Sequence, residues 1–138
     1  MNDDIFEKPY WIIDILPEQV PADSKGQYFA VERYFLMPEN ITEIFRKQLG
    51  LMLKLNCYYD FYVSIDFGEH WEKNVIPEKL SEMITMYDQI YVRIDDSLLV
   101  AQRNDTYLTM YDPDERLIDL TKQIASAEGL FVWQAHIT

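Results

Sequence analysis

The sequence predicts an α+β fold: one domain over residues 1–138, with a largely antiparallel sheet of five or six strands and helices packed mainly on one face. Three observations point there. Strand-like runs follow one another closely between Gln89 and Tyr111, with turn residues between them. Apolar residues recur at helical spacing in the segments that begin at Asn40, Pro77 and Pro113. The 138 residues, 49% of them hydrophobic, suffice for one core, and a chain of this size buries about 68% of its unfolded surface.

Taken in order, Tyr10–Leu16 is dense in aromatic and β-branched residues and reads as a strand. Apart from Asp14 it is apolar on both faces, which argues for an interior place in the sheet. Pro17 and Pro21 end it, and 21–26 is loop. Residues 27–36 satisfy either period; Ala30, Glu32, Arg33 and Leu36 tip the choice to helix. Asn40 and Glu43 have the N-x-x-E spacing of a capping box, and Ile41, Ile44, Phe45, Met52 and Leu55 supply a core stripe. Gly50 in that helix either admits a close neighbour or carries no role.

Tyr58–Phe67 alternates over ten residues, with Tyr59, Phe61, Val63, Ile65 and Phe67 facing one way, and reads as a half-exposed strand. Residues 68–74 are loop. Pro77 opens a helix whose stripe is Leu80, Met83, Ile84 and Tyr87. The C-terminal β-β-β-α-β unit, 89–138, comprises Gln89–Ile94, Leu98–Arg103, Thr106–Tyr111, a helix over 113–128 and Leu130–Ala135. Asp95-Asp96 and 103–106 are its tight turns. Asp112 is the expected N-cap, Leu117, Leu120, Thr121, Ile124 and Ala127 the buried stripe, and Gly129 the left-handed terminator. A right-handed crossover would set the last strand parallel to Thr106–Tyr111.

The charge is −12, from 24 acidic and 12 basic residues, and the two halves of the chain share the excess equally. A uniformly acidic surface disfavours nucleic acid and anionic membrane and suits either solubility or a partner with a basic surface. Cys57 alone makes no intrachain disulfide and reads as a small buried hydrophobe. No leader-like segment and no apolar run of about 20 residues is seen, so a cytoplasmic location is expected. The chain lacks G-x-x-x-x-G-K-[ST], G-x-G-x-x-G and G-x-S-x-G; no cofactor and no metal is expected.

Asp66-Phe-Gly-Glu-His-Trp is the one grouping with types suited to chemistry. Asp66, Glu69 and His70, joined by His136 if the fold brings it near, are the candidate catalytic residues, because carboxylate and imidazole serve acid–base work or a divalent ion. An ordinary polar loop is the simpler reading. Tyr58, Tyr62, Asp66 and Trp71 are the candidate partner-binding residues, since aromatic rings offer rigid, amphipathic contact area. The functional expectation is therefore a small acidic binding or regulatory protein working through protein–protein contact, such as an inhibitor or immunity-type protein for a basic partner. A metal-assisted hydrolase or other small enzyme using Asp66, Glu69 and His70 is the alternative, and a homo-oligomer stays open.

Overall fold

The computed structural model describes residues 3–135; His136 lies outside them. A 3-10 turn, Asp3–Glu7, leads into β1 (Tyr10–Asp14), followed by α1 (Tyr28–Phe35) and α2 (Pro38–Asn56). Then come β2 (Tyr62–Ser64), β3 (Glu72–Lys73), α3 (Pro77–Met86), β4 (Gln89–Ile94), β5 (Ser97–Gln102), β6 (Leu108–Tyr111), α4 (Glu115–Glu128) and β7 (Phe131–Gln134). The architecture is α+β. Its strands form one antiparallel sheet in the order β3-β2-β4-β5-β6-β1-β7. Among the described residues the sheet has seven strands, not five or six. The extra one is β3, two residues inside the stretch expected to be loop.

The C-terminal unit keeps its β-β-β-α-β order, but β7 does not pair with β6. β1 lies between them, antiparallel to both, with Ile12 opposite Thr109 on one side and Trp133 on the other. β6 and β7 thus run in the same direction, as expected, with one strand separating them. The reason is the doubly apolar character of β1: with a neighbour on each edge and side chains covered on both faces, its polar backbone is fully paired.

The two faces of the sheet divide by alternation. Ile13, Val63, Ile90, Val92, Leu99, Ala101, Leu108 and Met110 point to one side and join Leu51, Met52, Leu55, Leu80, Met83, Leu117 and Ala125 of α2, α3 and α4 in the main core. Each fully buried Leu or Ile there contributes about 1.5–3 kcal/mol. α1 stands apart, with no buried residue. The opposite face holds a smaller cluster, Tyr91, Leu98 and Val100, covered in part by Ile5, Trp71 and Tyr111. Phe6 of the 3-10 turn sets its ring edge-on to Tyr111 at 5.2 Å.

Several local expectations are corrected by capping chemistry. α2 begins at Pro38, whose missing N–H is no loss at a first helical position. Asn40 therefore sits inside the first turn and donates from Nδ2 to the Tyr34 carbonyl at 2.8 Å, while Glu43 pairs with Arg46. The cap of α4 is Asp114, accepting from the Leu117 N–H at 2.8 Å. Asp112 instead takes a left-handed conformation, φ 53°. The buried side of α4 is Leu117, Ile118, Thr121 and Ala125, turned away from the exposed Ala127. Gly129 ends it at φ 78°, as expected. Asp95 uses a positive φ in its turn, whereas no residue of 103–106 does.

The long strand expected at 58–67 shrinks to Tyr62–Ser64. Alternation holds at the buried Phe61 and Val63 but fails at Ile65 and Phe67, which are 38% and 69% exposed. Phe67 and Gly68 both have positive φ, and the Ser64 hydroxyl accepts from the Gly68 N–H at 2.8 Å, so the chain turns out of the sheet there. Cys57 is exposed at the end of α2 rather than buried. Gly50 admits a neighbour: a Cβ there would lie 2.7 Å from the Glu128 carboxylate, which ion-pairs with Lys54 at 2.6 Å.

Candidate functional site

Apart from Tyr58 and the undescribed His136, the sequence candidates fall on β2, next to the edge strand β3, and on the loop after it. The Asp66 carboxylate organises this loop. Its Oδ1 accepts from the Ser64 hydroxyl at 2.7 Å and from the His70 N–H at 3.0 Å, and its Oδ2 lies 2.6 Å from His70 Nδ1. The Ser64 hydroxyl, the His70 N–H and the imidazole together hold Asp66 well below the usual carboxylate range. In return, the hydrogen bond and charge of Asp66 raise His70 above its ordinary 6.5. Ligand atoms of Asp66, Glu69 and His70 lie within 4.8 Å of one another, a spacing that could hold a metal ion. Yet the His70 side chain is 87% exposed, and three solvated donors on one short loop are also what a self-capped turn produces. His136 cannot be added, lying outside the described residues.

The proposed contact residues are only partly gathered. Tyr62 and Trp71 share one cation: the Arg93 guanidinium lies 4.7 Å from the Tyr62 ring centre and 5.4 Å from that of Trp71. Tyr58 stands in the turn after α2, 64% exposed and outside the ladder. Tyr62 and Arg93 also line a groove of about 850 Å³ on the second face of the sheet. Its walls carry six aspartates from four separate segments: Asp4, Asp60, Asp95, Asp96, Asp112 and Asp114. Asp95, Asp96 and Asp112 read in the sequence as turn and cap residues; nothing there foretells that the fold gathers the six around Tyr62.

A second concavity was missed altogether. Above β1 and β7, beneath the 15–29 segment, lies a cavity of about 510 Å³ lined by Tyr10, Ile12, Asp14, Tyr28, Tyr107 and Trp133 among others. Cross-strand pairing puts Ile12 beside Trp133, so β1 and β7 present their aromatic and acidic side chains to one space. Asp14 is 6% exposed and accepts from the Ile15 N–H at 2.7 Å. Burial pushes its carboxyl up to about 6, against the pull of the Ile15 and Leu16 N–H groups and with a small push from Glu32. Burial also raises Tyr107, and it raises Tyr28, whose hydroxyl donates to Glu32 at 3.0 Å. The signal in the sequence was Asp14 itself, one acid in an apolar strand.

No protein family, no curated protein and no solved structure matches this chain.

Proposed function

We propose that this is a small acidic cytoplasmic binding or regulatory protein that acts through protein–protein contact, taking a basic partner into the aspartate-lined groove beside Tyr62. An inhibitor or immunity-type protein masking the basic site of a nuclease or toxin would work this way. The observation that carries the reading is the concentration of six aspartates around one groove on a chain of net charge −12. A concave surface on which six aspartates outnumber the two cations Lys8 and Arg93 focuses field lines, speeds encounter with a basic protein and repels acidic ones. Tyr62, half-buried and stacked by Arg93, supplies a rigid aromatic anchor at the centre. No helix among the described residues is long and apolar enough to cross a membrane.

The test is capture of a basic partner from native lysate by the wild-type chain and by D60N/D95N/D96N, each at moderate and high salt. The asparagines keep the turn geometry and remove the charge. Salt-sensitive capture that the triple variant loses supports the reading. Recovery of the chain alone, or capture that ignores both salt and the substitutions, refutes it.

A second reading, a metal-assisted hydrolase or other small enzyme, is favoured by the convergence of Asp66, Glu69 and His70. Zinc or manganese titration, followed through the His70 ring resonances, tests it directly. Saturable changes that E69Q weakens support a metal site; unchanged resonances remove this reading.

A further inference from the structure

We propose that the cavity over β1 is a binding site for a small organic cation, a protonated amine on an apolar body, with the ammonium against Asp14 and the aromatic rings around it. The site is separate from the aspartate-lined groove, and the inference does not rest on the proposed protein contact.

Charge decides the ligand class. The cavity contains the carboxylates of Asp14 and Glu18, and among the described residues no Lys, Arg or His lines it. Asp14 is almost wholly buried, and its hydrogen-bond partners among the described residues are the neutral Ile15 and Leu16 N–H groups. A buried carboxylate without a countercharge is costly, and the cost falls when a cation is brought in from outside. An anionic ligand would instead meet two acids.

The walls decide what kind of cation. Tyr10, Tyr28, Tyr107 and Trp133 present aromatic surface, and Phe29, 76% exposed, extends it at the rim. Aromatic faces attract ammonium groups through the ring quadrupole, and more strongly when the contact is desolvated. A hard metal ion would want six or more oxygen ligands, and this aromatic wall cannot supply them. The volume, about 510 Å³, falls in the range that holds small organic molecules. The Trp133 Nε1–H, sealed from solvent beside the cavity, has no hydrogen-bond partner among the described residues.

The experiment uses the full chain and 2-phenylethylamine, protonated near neutral pH, with 2-phenylethanol as its neutral counterpart and phenylacetate as an anion. Binding is read from the Trp133 indole and Tyr107 resonances. The amine is expected to shift both saturably with a Kd of ~1 mM or tighter, and the alcohol and the acid to bind at least about tenfold more weakly. Asp14→Asn, which keeps an acceptor for the Ile15 N–H, is expected to lose about tenfold in amine affinity. Phe29→Ala, at an exposed rim position, loses several-fold and serves as the test if the Asp14 variant does not fold.

The amine's affinity should also fall as the pH drops through about 6, where Asp14 takes up a proton. Among the described residues, Tyr10 of β1, Glu18 of the loop, Glu32 and Tyr28 of α1, and Tyr107 just before β6 are the other titratable groups around Asp14; β7 sets Phe131 and Trp133, neither titratable, beside it. All of these remain in the Asp14 variant, so a pH dependence that survives there overturns the assignment. So does equal binding of the alcohol or the acid, undiminished affinity in both variants, or no response to the amine up to about 10 mM.

Discussion

Replacing Asp14 by Asn should stabilise this protein at neutral pH and do little in acid. The carboxyl is 6% exposed, and burial moves its midpoint from 3.8 to about 6. In the folded chain it binds its proton more tightly than in the unfolded chain. Its favourable contribution is therefore fully present below about 4 and is lost as the pH rises through about 6. Two decades of pH at about 1.4 kcal/mol each give a cost near 3 kcal/mol for holding the ionised form buried above pH ~7. Asparagine carries no such cost and still offers Oδ1 to the Ile15 N–H, which Asp14 accepts at 2.7 Å. Urea denaturation of both chains at pH about 4 and about 7.5 measures this, and the difference between them cancels the other carboxylates, which are common to both. The gain from the substitution should grow by about 2.5 kcal/mol between the two pH values, since the unfolded carboxyl is already partly ionised at pH about 4. A difference that stays flat, or a variant that gains in acid, would refute the premise that Asp14 is ionised in a poorly solvated place.

Three further outcomes are expected. Gln48 is 2% exposed and its Nε2 has no partner among the described residues, so Gln48→Met, close in volume, should raise stability by about 1–2 kcal/mol; a lower denaturation midpoint would show that the amide is satisfied. Asp114→Ala should cost about 1 kcal/mol by deleting the α4 cap, whereas Asp112→Gly should be neutral or stabilising because φ 53° suits glycine; equal losses by thermal or chemical denaturation would contradict that assignment. His70 should titrate above 6.5 in the wild-type chain and return toward it in Asp66→Asn, followed by NMR of the ring protons. Its pairing with Asp66 stabilises the fold below about 6.5, and that contribution is lost as the pH rises through the raised midpoint; an unshifted ring would break the pair.

What the sequence disclosed, and what it hid, follows the range of the interactions involved. Local signals carried far. The stop at Gly129, the start at Pro77, the 27–36 helix and the β4-β5-β6 meander depend on residues a few positions apart. At α4 capping was legible in kind but shifted in place, because Asp112 stands two residues from Asp114, which also suits a cap; at α2 Pro38 sets the start, and Met37 before it makes no side-chain cap. The insertion of β1 between β6 and β7 joins residues about a hundred positions apart, and nothing in the adjacent β6-α4-β7 segment announces it. The candidate sites show the same limit. The Asp66–His70 turn was visible because its members are neighbours in sequence. The aspartate groove and the cavity draw on four or more separate segments each, so only the isolated Asp14 hinted at either.

The sheet's two faces explain where function can be sought. α2, α3 and α4 all contribute to the core on one face, and the strand residues buried there are almost entirely aliphatic. That face is committed to stability. The other face receives no such layer; the 3-10 turn, the 15–29 segment and the loop after β2 cover it in pieces. By register, Tyr62 and Arg93, Tyr91 and Ser64, Tyr10 and Tyr111, and Ile12 and Trp133 are cross-strand neighbours on that side. The candidate groove, the Ser64-anchored loop and the β1 cavity therefore share a cause. Polar and aromatic strand residues alternate with core residues, and the side that α2, α3 and α4 leave open gives them partly filled spaces between irregular covers, the start of α1 among them. A substitution on the helix-covered face should then act through stability alone. Binding phenotypes that leave stability unchanged should map to the second face, and a scan of conservative substitutions across β1, β4 and β7 would expose the argument if they did not.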